Sequence, residues 1–170
     1  MSMTYIEAVD ELFGMLLDVV HTESAAIIGY EPEIRWPGEA AGIKPPKERY
    51  WSRASEQIVT DGQVSLANAQ GIKVYEATGL CYLQIFCPRN LDGSLDKGRL
   101  FAQAVRNKFR RGSPSGEIWF RNQRIVKQPE TAEAYPLNVV IEFSFKTYGA
   151  PDALGFGETF DDFVQDGGLL

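Results

Sequence analysis

Residues 137–148, Leu-Asn-Val-Val-Ile-Glu-Phe-Ser-Phe-Lys-Thr-Tyr, alternate more cleanly than any other part of the chain. On an extended backbone Val139, Ile141, Phe143 and Phe145 share one side, and Val140, Glu142, Ser144 and Lys146 share the other. A strand of this kind needs sheet neighbours on both flanks and a layer to cover its apolar side.

The rest of the chain supplies both. Residues 33–36 read as a short strand, and residues 37–48, with three prolines and two glycines, as a loop. Residues 49–60 and 63–67 read as two strands joined at Asp61-Gly62, a dipeptide that favours a type I′ hairpin turn. A connection at 68–71 leads into a long strand at 72–87, in which Gly79 marks a bulge. A strand at 117–127 precedes the closing one. Two helices cover the sheet. Thr4 and Glu7 have capping-box spacing for a helix over 5–22, with Ile6, Val9, Phe13, Leu16, Leu17 and Val20 on its apolar stripe, widened by Leu12, Met15 and Val19. The second helix, 95–111, turns Phe101, Ala102, Val105 and Phe109 inward and ends against Gly112. Strand runs joined by short turns, with only two helices, define an α+β fold: a mainly antiparallel β-sheet packed against two α-helices.

Cys81 and Cys87 are the only cysteines. They lie on one face of the 72–87 strand with Leu83 and Ile85 between them. Six residues of strand span roughly 20 Å, and a disulfide needs its Cα atoms within about 7 Å, so the two are expected to be small buried hydrophobes that do not pair. Two cysteines without a framework point to a reducing compartment. Met1 is not followed by a basic region and a long apolar run, so no signal peptide is expected, and no stretch approaches the length needed to span a membrane.

The formal net charge is −6, unevenly spread. Residues 151–170 hold five acids and no base, whereas the first 150 residues carry 18 acids and 17 bases. A nearly neutral body argues against a dedicated, sequence-specific nucleic-acid binder. The chain divides into a single α+β domain, 1–149, and an acidic tail, 150–170, expected to be flexible. Phe156, Phe160 and Phe163 recur at helical spacing in that tail, which gives it the alternative of folding onto a partner.

No catalytic arrangement stands out. His21, the only histidine, is expected to complement the C-terminal end of the first helix. Gly38–Lys44 lacks the ending and interval of a phosphate loop. Arg106, Lys108, Arg110 and Arg111 form a basic turn, which either meets phosphate or complements a helix end and neighbouring acids. Arg49, Trp51 and Arg53 share one strand face; Trp and Arg are common interface anchors, and the alternative is a sheet face covered by a helix. Arg49, Trp51, Arg53, Arg106, Arg110 and Arg111 are therefore the candidate interface residues, facing acids of the first helix such as Glu7 and Glu11 on a neighbouring copy. No catalytic residue, metal or cofactor is expected.

The order of elements carries a resemblance. A helix is followed by a hairpin beginning Glu48-Arg-Tyr-Trp-Ser-Arg53, then Tyr75-Glu-Ala-Thr-Gly-Leu-Cys-Tyr-Leu-Gln-Ile-Phe-Cys-Pro88, a Gly-containing turn, the helix Gly98–Phe109, Ile118-Trp-Phe-Arg-Asn122, and Val139-Val-Ile-Glu-Phe-Ser-Phe145. Over residues 4–148 this resembles the tail terminator (tail completion) proteins of long-tailed bacteriophages, the lambda-type minor tail family. The resemblance implies a non-enzymatic virion protein, assembled in the bacterial host cytoplasm. It forms a ring of identical subunits, typically a hexamer, on the tail tube protein, and offers a surface to the head–tail connector protein. The acidic tail departs from that family pattern. The other readings are a different head–tail joining or tube protein, and an enzyme or small-ligand domain on a similar scaffold.

Overall fold

The alternating closing strand lies inside the sheet, flanked on both sides, as its buried face requires. The computed structural model describes residues 2–39, 44, 46–66 and 71–149. Its elements in chain order are α1 (Tyr5–Ile28), β1 (Glu33–Arg35), β2 (Trp51–Gln63), β3 (Val74–Pro88), α2 (Ser94–Arg110), β4 (Ile118–Lys127) and β5 (Ala134–Tyr148). One five-stranded sheet has the order β1-β2-β3-β5-β4. Only the β1–β2 pair is parallel among the described residues; the other three pairs are antiparallel. The fold is α+β. The acidic tail, parts of the 37–48 loop including most of Gly38–Lys44, and most of the 67–71 connection lie outside the described residues.

Register assigns the faces. Cys81 pairs with Ile141, Leu83 with Val139 and Ile85 with Leu137, and all six are buried beneath the helices. Leu12, Leu16 and Val20 of α1, with Phe101, Val105 and Phe109 of α2, close the core above them. The inward face expected of α2 is the observed one. Gly112 follows the end of α2 at φ 92°, a left-handed conformation that suits glycine.

Three expectations need correction. First, α1 runs to Ile28 rather than residue 22, and stops where Gly29 adopts φ 87° and donates its N–H to the Ala25 carbonyl at 3.0 Å. Leu12, Met15, Leu16, Val19 and Val20 are buried as expected, but the stripe is displaced at its edges: Ala8 is buried, whereas Ile6 and Leu17 are exposed. Second, His21 sits well before the helix end, and its Nδ1 lies 2.7 Å from Glu31 Oε2.

Third, Asp61-Gly62 is not a turn. β2 runs through it as one strand, with Asp61 opposite Ala77 and Gly62 opposite Glu76. Gly62 lacks the positive φ that a type I′ turn demands, and the chain turns further on, with Val64 N–H reaching the Val74 carbonyl at 2.8 Å. The bulge expected at Gly79 lies across from it, where Val59 is the extra residue on β2 between Ile58 and Thr60. Gly79 serves close approach instead: a Cβ there would sit 2.5 Å from the Gln57 carbonyl and 2.7 Å from Phe143 Cζ.

Candidate interaction surface

The face of the sheet away from the helices has no covering layer among the described residues. Its side chains follow from register. Trp51, Arg53 and Ser55 of β2 lie across from Phe86, Gln84 and Tyr82 of β3, then Pro136, Asn138 and Val140 of β5. β4 adds Trp119, Arg121 and Arg124 opposite Ser144, Glu142 and Val140.

Trp51 and Phe86 are directly opposed on antiparallel strands, which lets their rings stack face to face at 3.9 Å and 1°. The Arg35 guanidinium stands over the Trp51 ring at 5.1 Å from the side of β1. Arg53 donates to Gln84 Oε1 at 2.7 Å. The strip of Trp51 and Arg53 is thus on the uncovered face, and the alternative of a face beneath a helix does not apply to it. Arg49 precedes β2 and turns to Tyr30, 4.2 Å over that ring. With Trp51 and Phe86 it also borders a small cleft of about 110 Å³.

Tyr30 ties this corner to the core. Its hydroxyl accepts from Tyr50 N–H at 2.9 Å, and the buried Tyr50 hydroxyl donates to the Ser94 carbonyl at 2.6 Å. Burial pushes the Tyr50 phenol well above its ordinary range.

At the other end of the face, Lys146 stands over the Trp119 ring at 5.5 Å. Glu142 accepts from Asn122 Nδ2 at 2.7 Å and from Arg124 Nη1 at 2.8 Å, and these two contacts hold its carboxyl below the usual range. Asn122, at φ 49°, belongs to a bulge between Arg121 and Arg124 that swings Arg124 toward Glu142. Arg121 is exposed and makes no hydrogen bond or ion pair among the described residues. None of this cluster was singled out from sequence. The polar side of the β5 alternation was its signal.

The basic turn occupies the helix layer, far from that face. Lys108 Nζ pairs with Asp18 Oδ2 of α1, Arg106 is half-buried, and Arg110 and Arg111 are exposed. Asp18, Glu23, Lys108 and Arg111 border a groove of about 530 Å³ between the two helices. Two acids on its wall make it a poor phosphate site. The helix-1 acids are also occupied. Glu7 Oε2 accepts the Thr4 N–H at 2.7 Å within the capping box, and Glu11 accepts from Ser113 Oγ at 2.5 Å and Ser115 N–H at 3.3 Å.

Both thiols are unpaired and buried, as expected, and burial pushes each up to about 12. Among the described residues no cluster of His, Cys, Asp or Glu could hold a metal ion, and no helix is long and apolar enough to cross a membrane.

Among the described residues, fold and surface define an α+β domain with one uncovered sheet face and two sheet edges. No family model matches the sequence, and no curated protein matches it.

Proposed function

We propose that this protein is a phage or prophage tail terminator: a non-enzymatic subunit that joins identical copies in a ring, caps the tail tube and presents a surface to the head–tail connector. The observation that carries the reading is the pair of sheet edges. β1 covers only Trp51–Arg53 of β2, so β2 from Ala54 to Gln63 has no outer strand among the described residues, and β4 bounds the opposite side. Edge strands offer unpaired backbone donors and acceptors. Two different edges on opposite sides of one subunit suit the head-to-tail contact from which closed rings are built.

The element order described above supports the same reading. So does the placement of the basic turn, because α2 packs against β4 and β5, toward the edge opposite β2. Arg110 and Arg111 of one copy then face the β2 edge of the next, where Asp61 is exposed. Glu7 and Glu11, engaged within their own chain, are the weaker partners. Arg53, with Trp51 beside it, borders the β2 side of the same junction.

The test adds the protein to growing tubes of the tail tube protein encoded with it. Tubes of uniform length bearing density at one end support the proposal, and unchanged elongation refutes it.

A further inference from the structure

We propose that the uncovered sheet face is the docking surface for the chain's own acidic C-terminal segment, residues 151–170. Charge selects the occupant. Arg53, Arg121 and Lys146 point from this face with no acid in a hydrogen bond or ion pair among the described residues: Arg53 bonds a neutral glutamine, Arg121 lies across from Glu142 without bonding it, and Lys146 stands over an indole across from Glu76. Across β2 to β5 the face carries two acids, Glu76 and Glu142, against four bases, Arg53, Arg121, Arg124 and Lys146, and Glu142 is already held by Arg124 and Asn122. The segment 151–170 carries five acids and no base, in a chain whose remainder is almost neutral. A second copy of the same basic face would meet like charges, which disfavours self-association through it.

The tether selects the face. β5 delivers the chain to Tyr148, two register positions beyond Lys146 on the same face, and Gly149 N–H still donates to the Lys73 carbonyl at 3.1 Å. One side of the sheet there is already filled by α1 and α2, so the uncovered side is the one within reach. From Lys146 to Pro136 the face extends about 34 Å at about 3.4 Å per residue, and a segment of this length can traverse it. Phe156, Phe160 and Phe163 supply apolar contacts for Trp119, Leu80 and Tyr82, which the sheet leaves half-exposed. A single-stranded nucleic acid fits less well, because stacking needs a free ring face and Trp51 already lies between Phe86 and Arg35.

The test uses the full chain and a zero-length carbodiimide that couples carboxylates to amines, with mixed isotopically labelled and unlabelled copies. The expected product links residues 151–170 to Lys146 within one copy. Lys146 acetylation should rise roughly five-fold in the Asp161→Lys, Asp162→Lys chain, and the cross-link should fall by a similar factor in Arg121→Glu. Lys108 on the helix side should label equally in all three. Absence of the Lys146 link, links only between differently labelled copies, or equal Lys146 acetylation in wild type and variant would each overturn the proposal. So would tighter binding of an oligo-dT strand than of a residue 151–170 peptide to the Asp161→Lys, Asp162→Lys chain. Tube capping is read separately, so either proposal can fail alone.

Discussion

Gly98 of α2 rests directly on Cys87 of β3: a Cβ built at Gly98 would overlap the Cys87 Sγ and stand 3.5 Å from Leu137 Cδ1. The helix reaches the sheet here because one partner has no side chain and the other is small. This contact explains why Cys87 is wholly buried although it lies next to the end of its strand.

Gly98→Ala should therefore destabilise the domain. Alanine favours a helix interior by about 1 kcal/mol over glycine, but overpacking a closed core costs about 1–3 kcal/mol. Overlap wins, and the melting temperature should fall by a few degrees, at about 2–4 °C per kcal/mol for a domain of this size. In a Cys87→Ala background the same substitution should become neutral or stabilising. Equal shifts in both backgrounds would show that the sulfur is not the obstacle.

The thiols give a pH signature. An ordinary cysteine ionises near 9.0, and burial moves Cys81 and Cys87 up to about 12. The unfolded chain therefore releases these protons first, so the stability tied to the neutral thiols is full below about pH 9 and is lost as pH rises toward 12. Urea midpoints should drop between pH 7.5 and pH 10.5, and drop less in a Cys81→Ala, Cys87→Ala chain. Identical losses in the two chains would remove burial of the thiols as the cause. In the native protein at neutral pH, a thiol reagent should label neither residue before unfolding, and intact mass without reductant should show no loss of two hydrogens.

The described core is complete without residues 151–170: the buried cluster runs from Met3 to Phe145. A chain ending at residue 149 should melt cooperatively, within about 4 °C of the full chain, since segment docking on an exposed face is worth on the order of 1 kcal/mol. A fall of more than about 8 °C would place the segment in the core.

What the sequence revealed and what it hid follow physical lines. Period-two alternation announced β5 and the buried side of β3 because a half-buried strand must alternate. It could not show that β2 continues through Asp61-Gly62, since strand pairing with Ala77 and Glu76 overrides a local turn preference. The α1 stripe is legible at Leu12, Met15, Leu16, Val19 and Val20 but not at its edges, where Ala8 is buried and Ile6 is not, because apolarity alone does not say which side meets the sheet. His21 looked terminal only because the helix was ended six residues early. For the candidate surface, Trp51 and Arg53 were legible as a shared face. The occupancy of Glu7 by Thr4 was legible as capping-box spacing, but that of Glu11 by Ser113 and Ser115 was not, because those contacts join residues about a hundred positions apart.

The ring proposal makes its sharpest prediction in a charge exchange. Arg110 is exposed on the helix that packs against β4 and β5, and Asp61 is exposed on the free stretch of β2 at the opposite side of the sheet. Within one subunit they are on different flanks, so neither stabilises the other, and Arg110→Glu or Asp61→Arg alone should leave the melting temperature within about 2 °C of wild type. In a head-to-tail ring they meet across the junction. Each single reversal should then weaken capping, giving longer and more variable tubes at a fixed protein concentration. The double variant Arg110→Glu, Asp61→Arg restores opposite charges at every junction and should recover uniform tube length. Recovery in the double variant identifies the contact as intersubunit. Normal capping by every single variant would leave the ring without this interface, and loss in the singles without recovery in the double would place the two residues in separate contacts.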